Sequence, residues 1–310
     1  TAQDLKDDFN EHLAEVTQLP NEIVTVGTNG DFNTINGALE FLSKRKTRFL
    51  PNGYTAEIRL KSGFVMKEQI VVEGIDLGWI TITAEDSEVT IRRSALTQNK
   101  VYDSWFPAFE ARNGTLPTIG VLFNMDNSGE GSGRHGVAIT EVSTANVLKD
   151  CGVKNAGGSA IYANTSSRIS AAGAIASGAN EHGIYASQSS TIDAQEAIAN
   201  NVSSNSIFAT RASVINARNV EAKNSNIGIH AYRSSVVSGN GVDASGANLY
   251  GIYCVDGSFV NAHNVNARMG SSDNSKDIAV LRGSIISALN TVGGLSQTAN
   301  SITKNGIIFG

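Results

Sequence analysis

The chain has 310 residues, room for one large domain or a long solenoid, with 41% apolar but only 6% aromatic residues. A net charge of −5 without a basic stripe argues against nucleic acid as a partner. No apolar run reaches membrane-spanning length, so membrane insertion is not expected. Thr1 as first residue, with no signal-like segment after it, suggests a fragment or a processed piece.

Residues 1–20 are helical in pattern. Leu5, Phe9, Leu13 and Val16 form a narrow stripe on a charged helix. Such a stripe suits a helix docked on the body, or a neck where copies of the chain meet. Residues 21–135 read as a cap followed by irregular first coils. Ile23-Val24-Thr25-Val26 alternates as a strand, and Gly27-Thr28-Asn29-Gly30 turns. Thr34 then N-caps a helix carrying Ile35, Ala38, Leu39 and Leu42. Further strands are predicted at Ala56 to Leu60, Gln69 to Val72, Trp79 to Ile82 and Val89 to Ile91. A helix lying over the first coil would blunt an end able to template aggregation.

Residues 136–310 carry a repeat. Copies begin at Ala160-Ile161-Tyr162-Ala163, Gly183-Ile184-Tyr185-Ala186, Ser206-Ile207-Phe208-Ala209, Gly228-Ile229-His230-Ala231, Gly251-Ile252-Tyr253-Cys254 and Asp277-Ile278-Ala279-Val280. Their isoleucines are 23, 23, 22, 23 and 26 residues apart, the mark of a solenoid whose units bury their apolar faces by stacking. Each copy holds three short apolar beats between turn formers: Ile161, Ile169 and Ile175, for example, or Ile207, Ile215 and Val220. Three short strands per coil, with no helical spacing, predict an all-β parallel β-helix with coils ~4.8 Å apart. Alternation places Ile161, Ile184, Ile207, Ile229 and Ile252 inside, beside Ala163, Ala186, Ala209, Ala231 and Cys254. Cys151 lies four to five coils from Cys254, roughly 20 Å, too far for a disulfide.

Gly30-Asp31-Phe32-Asn33-Thr34-Ile35-Asn36-Gly37-Ala38-Leu39 resembles the opening of pectin-lyase-like right-handed β-helix proteins, and Leu60 to Glu68 their second strand and turn. Leu116 to Asp126, Gly152 to Gly158 and the ending Asn305-Gly306-Ile307-Ile308-Phe309 are similar to β-helical tailspikes and tail fibres of bacteriophages. The resemblance implies a right-handed parallel β-helix with an N-terminal helix and a capping helix. It further implies a homotrimer in the virion tail, joined to other tail or baseplate proteins. Its partner would be a bacterial capsule, exopolysaccharide or O-antigen, bound and commonly cleaved. The fold also hosts lyases, esterases and pure adhesins. The Gly-x-x-Asp-Phe-Ile-Phe-Gly segment of pectin methylesterases, the Asp-Pro-His-Asp of alginate epimerases and a pectate-lyase calcium cluster are not found. Neither a metal nor another cofactor is expected.

Stacking the copies gives a map of surface columns. Tyr162, Tyr185, Phe208, His230 and Tyr253 form an outward aromatic column, flanked by Asn164, Ser187, Thr210, Tyr232 and Val255. Such rings can grip a glycan or pack between chains, and Tyr185, His230, Tyr232 and Tyr253 are candidate substrate-binding residues. The next turn column contains Arg233 beside Asp256, either an ion pair or, with Arg233 free, a binder of substrate carboxylates. On the third face Lys154, Ala176, Ala199, Glu221, Asp243 and Asn266 are expected to align. Glu221 and Asp243 would then sit on adjacent coils, where one tends to hold a proton, as a hydrolase's acid and nucleophile or base. Splayed, solvated carboxylates are the plainer alternative. Asp193, in the column Ser170, Asp193, Asn216, Ser238, Asn261, is a third catalytic candidate. A lyase would instead need a base and a cation, which His230, Tyr232 and Arg233 can supply. Arg134 and His135, after the Gly-rich stretch Ser128 to Gly133, edge a groove or a flexible connection. Outer positions Ala174, Ala176, Ala197 and Ala199 suit packing between chains or a bare face. The expected function is a tailspike that depolymerises a surface glycan by hydrolysis. A polysaccharide lyase and a non-catalytic adhesin are the alternatives.

Overall fold

A computed structural model describes residues 22–45, 55–96, 105–268, 276–292, 300–303 and 307–309, with Gln3 and Lys6 besides. The stripe Leu5, Phe9, Leu13 and Val16 lies outside the described residues. The rest is a right-handed parallel β-helix. Its longest face is a ten-stranded sheet running from Ile70–Glu73 through Ile161–Ala163, His182–Ala186, Asn205–Thr210, Ile227–Tyr232 and Tyr250–Val255 to Asn300–Thr303. An eight-stranded sheet from Thr144–Asn146 to Ile307–Phe309 forms the second face, continuing a four-stranded sheet that starts at Glu22–Val26. The third face begins as another four-stranded sheet, ending at Gly152–Lys154. It goes on as single parallel bridges from Gly152 through Ile175, Ile198, Glu221, Asp243 and Asn266 to Val292.

The register is the one the repeats predict. Ile161 pairs with Ile184, Ile184 with Ile207, Ile207 with Ile229, Ile229 with Ile252 and Ile252 with Ile278. The first five, and the column from Ala163 to Cys254, are fully buried. Each buried isoleucine contributes about 1.5–3 kcal/mol by leaving water. Cys151 and Cys254 are free thiols. At the N-terminal end, helix α1 (Ile35–Arg45) buries Ile35, Ala38, Leu39 and Leu42. The Thr34 hydroxyl accepts the Gly37 amide at 3.1 Å, and the Glu68 carboxylate accepts the amides of Ile35 at 2.7 Å and Asn36 at 3.1 Å. The helix N-terminus is therefore satisfied by the coil beneath it.

The third face corrects the expected alternation. Ala174, Ala176, Ala197 and Ala199 are wholly buried within one chain, so they cannot pack against another. Ile175 and Ile198 lie on the outer side, half-buried. The inversion is confined to these two coils, since Val220, Val242 and Val265 hold the equivalent inner position on the next three. Lys154, Ala176 and Ala199 therefore leave the expected Glu221 column, and Gly152, Ile175 and Ile198 take their places.

The corner after each strand of the ten-stranded sheet from Val137–Thr140 to Lys276–Leu281 has two successive left-handed residues, such as Thr165-Ser166, Gln188-Ser189 and Arg233-Ser234. A buried serine follows. Ser143, Ser167, Ser190, Ser213, Ser235 and Ser258 each donate their amide to the hydroxyl of the next serine, ending on Ser284, at 3.1–3.2 Å. This column fills the accounts of amides that the tight corner removes from the sheets. Replacing Ser213 by Ala leaves the Ser190 amide unpaired, an expected loss of about 1–3 kcal/mol. Ile207→Ala, which opens a core cavity, should lose about 2–5 kcal/mol. Urea unfolding measures both, and a Ser213→Ala protein as stable as the parent would contradict the role given to the serine column.

Candidate functional site

The coil spacing of ~4.8 Å is close to a ring-stacking distance, so aromatic residues at one strand position must stack. Tyr162 and Tyr185 lie 4.3 Å apart with planes 4° from parallel. Tyr185 to Phe208 is 4.9 Å at 12°, and Phe208 to His230 is 4.6 Å at 22°. Tyr253 follows His230 at 4.9 Å, tilted, and Tyr250 stacks on Tyr253 at 4.5 Å. At the other end Trp105 stacks on Tyr162 at 5.0 Å, above the small residue Ala138 of the preceding rung. His135 and His182 fill the flanks of the column, within 5.5 Å of Tyr162 and 4.9 Å of Phe208 respectively. The five column rings from Tyr162 to Tyr253 are half-buried, presenting one long apolar strip to solvent.

Burial governs the chemistry of the imidazoles here. It lowers the pKa values of His135 and His230 to about 4 and that of His182 to about 3, with nearby histidines adding to the last. His135 Nδ1 accepts the Ser159 amide at 2.9 Å, which fixes the neutral ring with its proton on Nε2. His230 lies 5.9 Å from the Tyr232 ring, and the Arg233 guanidinium sits 4.7 Å over that ring. The proposed lyase trio is thus together on one coil. A base near pKa 4 is nevertheless poorly matched to proton abstraction at neutral pH. Arg233 does not pair with Asp256, which is instead held by Arg282 at 3.1 Å. Tyr185, His230, Tyr232, Arg233 and Tyr253 all belong to this face.

The carboxylate candidates do not. Glu221 and Asp243 are adjacent on the third face, with Lys223 at 3.3 Å from each. Asn200 donates to Glu221 at 3.0 Å and Asn266 to Asp243 at 3.0 Å. The Glu221 pKa is lowered by the bonds from Asn200 and Lys223. At Asp243 burial opposes, but bonds from Ser245 and Lys223 outweigh it, so that pKa is lowered too. The expected shared proton is absent because a lysine balances the pair. Asp193 lies on the eight-stranded sheet, in the expected column, bonded to Asn216 at 3.1 Å and Gln195 at 3.2 Å.

Glu181 moves the opposite way. It precedes His182 at the edge of the ladder, and burial raises its pKa against a single bond from the Gly133 amide. Its charge also acts on the Tyr162 hydroxyl. Glu181, His182 and Tyr250 escape a reading that follows only the isoleucine-centred column. Their sequence signal is an acidic, imidazole or phenol group three or four residues ahead of the ladder ring. Trp105 and His135 come from outside the regular copies. The Gly-rich stretch beside them is pinned rather than loose: Arg93, buried, donates to the carbonyls of Ser128 at 3.1 Å and Gly129 at 3.2 Å. Arg134 stacks over Phe106 at 4.5 Å. Among the described residues no cluster of metal-ligating side chains occurs.

Neither a protein-family model nor a curated protein matches the chain.

Folded His135, His182 and His230 refuse protons that the unfolded chain accepts below its ordinary value of 6.5. Stability should therefore fall as pH drops from 6.5 toward 4, by up to roughly 1.4 kcal/mol per pH unit for each histidine, and level off once the folded rings titrate. Urea midpoints across this range check it. His182→Gln should flatten the slope by about one histidine's share, and an unchanged slope would contradict the assignment.

Proposed function

We propose that the chain binds a bacterial surface polysaccharide along the aromatic ladder, as a phage tailspike or tail fibre does. The observation that carries this reading is the continuous strip of half-buried rings parallel to the solenoid axis. Ring faces accept the C–H faces of sugars, and a linear strip suits a linear polymer. The strip is also rigid, since its spacing is imposed by the backbone of the sheet, so little ordering accompanies binding. Neutral histidines serve the strip as flat apolar surface rather than as acids or bases. The homotrimer implied by the resemblance has support in a second column. Val214, Val236, Phe259, Ile285 and Ile307 line the outer side of the eight-stranded sheet, with Val214 41%, Phe259 38% and Ile307 45% exposed in one chain. That apolar column is on a different face from the ladder, so association through it leaves the strip free.

Hydrolysis is the second reading, and Glu181 favours it. A carboxyl that burial keeps toward its protonated form, beside a sugar-binding strip, has the property required of a general acid. Glu221 and Asp243, ionised and bound to Lys223 on another face, lack it.

Purified protein titrated with a panel of capsules, exopolysaccharides and O-polysaccharides should bind at least one of them. Tyr185→Ala combined with Phe208→Ala should weaken that binding by about tenfold or more, equal to 1.4 kcal/mol. Undiminished affinity in a correctly folded double variant would overturn the ladder reading. With a bound glycan in hand, the appearance of new reducing ends tests hydrolysis. Glu181→Gln should abolish them while leaving affinity unchanged, and cleavage that survives the substitution would remove Glu181 from the reaction.

A further inference from the structure

Beside the ladder, the corner column reads Asn113, Glu141, Thr165, Gln188, Arg211, Arg233, Asp256 and Arg282, each with φ between 47° and 58°. Left-handed backbone costs a side-chain-bearing residue about 1–2 kcal/mol, and glycine or asparagine meets it most cheaply. No member of this column is glycine and one is asparagine. Three of its last four are arginines. Gly257 and Gly283, at the adjacent position, show that the same corner accepts glycine where nothing else is needed. The arginines therefore occupy a place that backbone energetics alone would give to smaller residues.

Their pairing is uneven. Arg282 is neutralised by Asp256 at 3.1 Å. Arg211 and Arg233 are exposed, and among the described residues neither has a carboxylate partner. Arg233 lies 4.7 Å over the Tyr232 ring, and Arg211 holds the same corner position one coil earlier. They occupy successive coils, ~4.8 Å apart along the backbone, where like charges repel. On the third face the same problem, posed by Glu221 and Asp243, is answered by Lys223. Here, among the described residues, no carboxylate pairs with either arginine.

We infer that the counter-charge comes with the ligand: the ladder takes an acidic polysaccharide, and Arg211 and Arg233 bind the carboxylates of its uronic-acid residues. This rests on the glycan-binding reading of the ladder and narrows its substrate class. A guanidinium presents a planar fork that matches a carboxylate with two parallel hydrogen bonds. The rings hold the apolar faces of the sugars while the two arginines fix register and reject neutral chains.

The test uses uronate-bearing bacterial exopolysaccharides, each in native form and with its carboxyls reduced to alcohols. The full chain should bind a native polymer at least tenfold more tightly than its reduced form, with affinity falling as salt rises. Arg211→Gln with Arg233→Gln should erase that difference, while Arg218→Gln, an exposed arginine on another corner, should not. Gln188 already occupies this column, so glutamine is compatible with the corner. Equal binding of native and reduced polymers, lost in Tyr185→Ala with Phe208→Ala, would overturn the arginine proposal and leave the ladder standing. Preference for a phosphate-bearing polymer that contains no uronate would overturn the carboxylate assignment. Binding to neither form of any polymer would overturn the arginine proposal together with the ladder reading.

Discussion

Every coil hydrogen-bonds in register to an identical position ~4.8 Å away, and this single distance sets what the surface can do. A residue in such a solenoid has its own equivalent above and below. For rings the arrangement is favourable, each stacked pair adding about 0.5–1.5 kcal/mol. For hydroxyls it is favourable too, since Ser190 can receive from Ser167 and donate its own amide to Ser213. For charges it is costly. Glu221 and Asp243 are tolerable because Lys223 lies between them, and Arg282 is tolerable because Asp256 is one coil away. Against that background an unbalanced pair of like charges stands out as a feature that stability does not explain.

The corners translate the same repetition into shape. Two left-handed residues turn the chain sharply after the ladder strand, and the serine column absorbs the amides that the turn leaves over. The corner also decides where long side chains go. Residues just past the end of a ladder strand, Arg211 and Arg233, are delivered to the flank of the rings, whereas residues of the third face are carried to another side of the solenoid. Function on this fold is therefore a question of which face a residue occupies before it is a question of residue type.

That distinction explains what the sequence disclosed. The repeat at Ile161, Ile184, Ile207, Ile229 and Ile252 fixed coil register and the ladder, because one large β-branched residue per copy faces inward at that strand. Helix α1 was equally legible from Thr34 and its apolar stripe. The third face misled at two coils: Ile175 and Ile198 lie outside with buried alanines on either side, so hydropathy marks the wrong residues there, whereas Val220, Val242 and Val265 are inside. The alignment of Glu221 with Asp243 survived that error, but their protonation did not, since Lys223 is two residues from Glu221 and its side chain spans both coils. Asp256 was matched to Arg233 by chain direction, yet Arg282 on the following coil holds it. Trp105 and His135 belong to no repeat, so only folding brings them onto Tyr162.

Burial has opposite consequences for the two kinds of titratable group on the ladder face. It drives His135, His182 and His230 to the neutral form, which removes them as acids and leaves them weak as bases at neutral pH. What remains of each is a flat, uncharged ring packed on the ladder. The same desolvation acts on Glu181 in the other sense and keeps it toward the form that can donate a proton. Rings of such low basicity are poorly matched to β-elimination, which begins by removing a proton. A carboxyl held toward its protonated form matches the first step of glycoside cleavage, which begins by giving one.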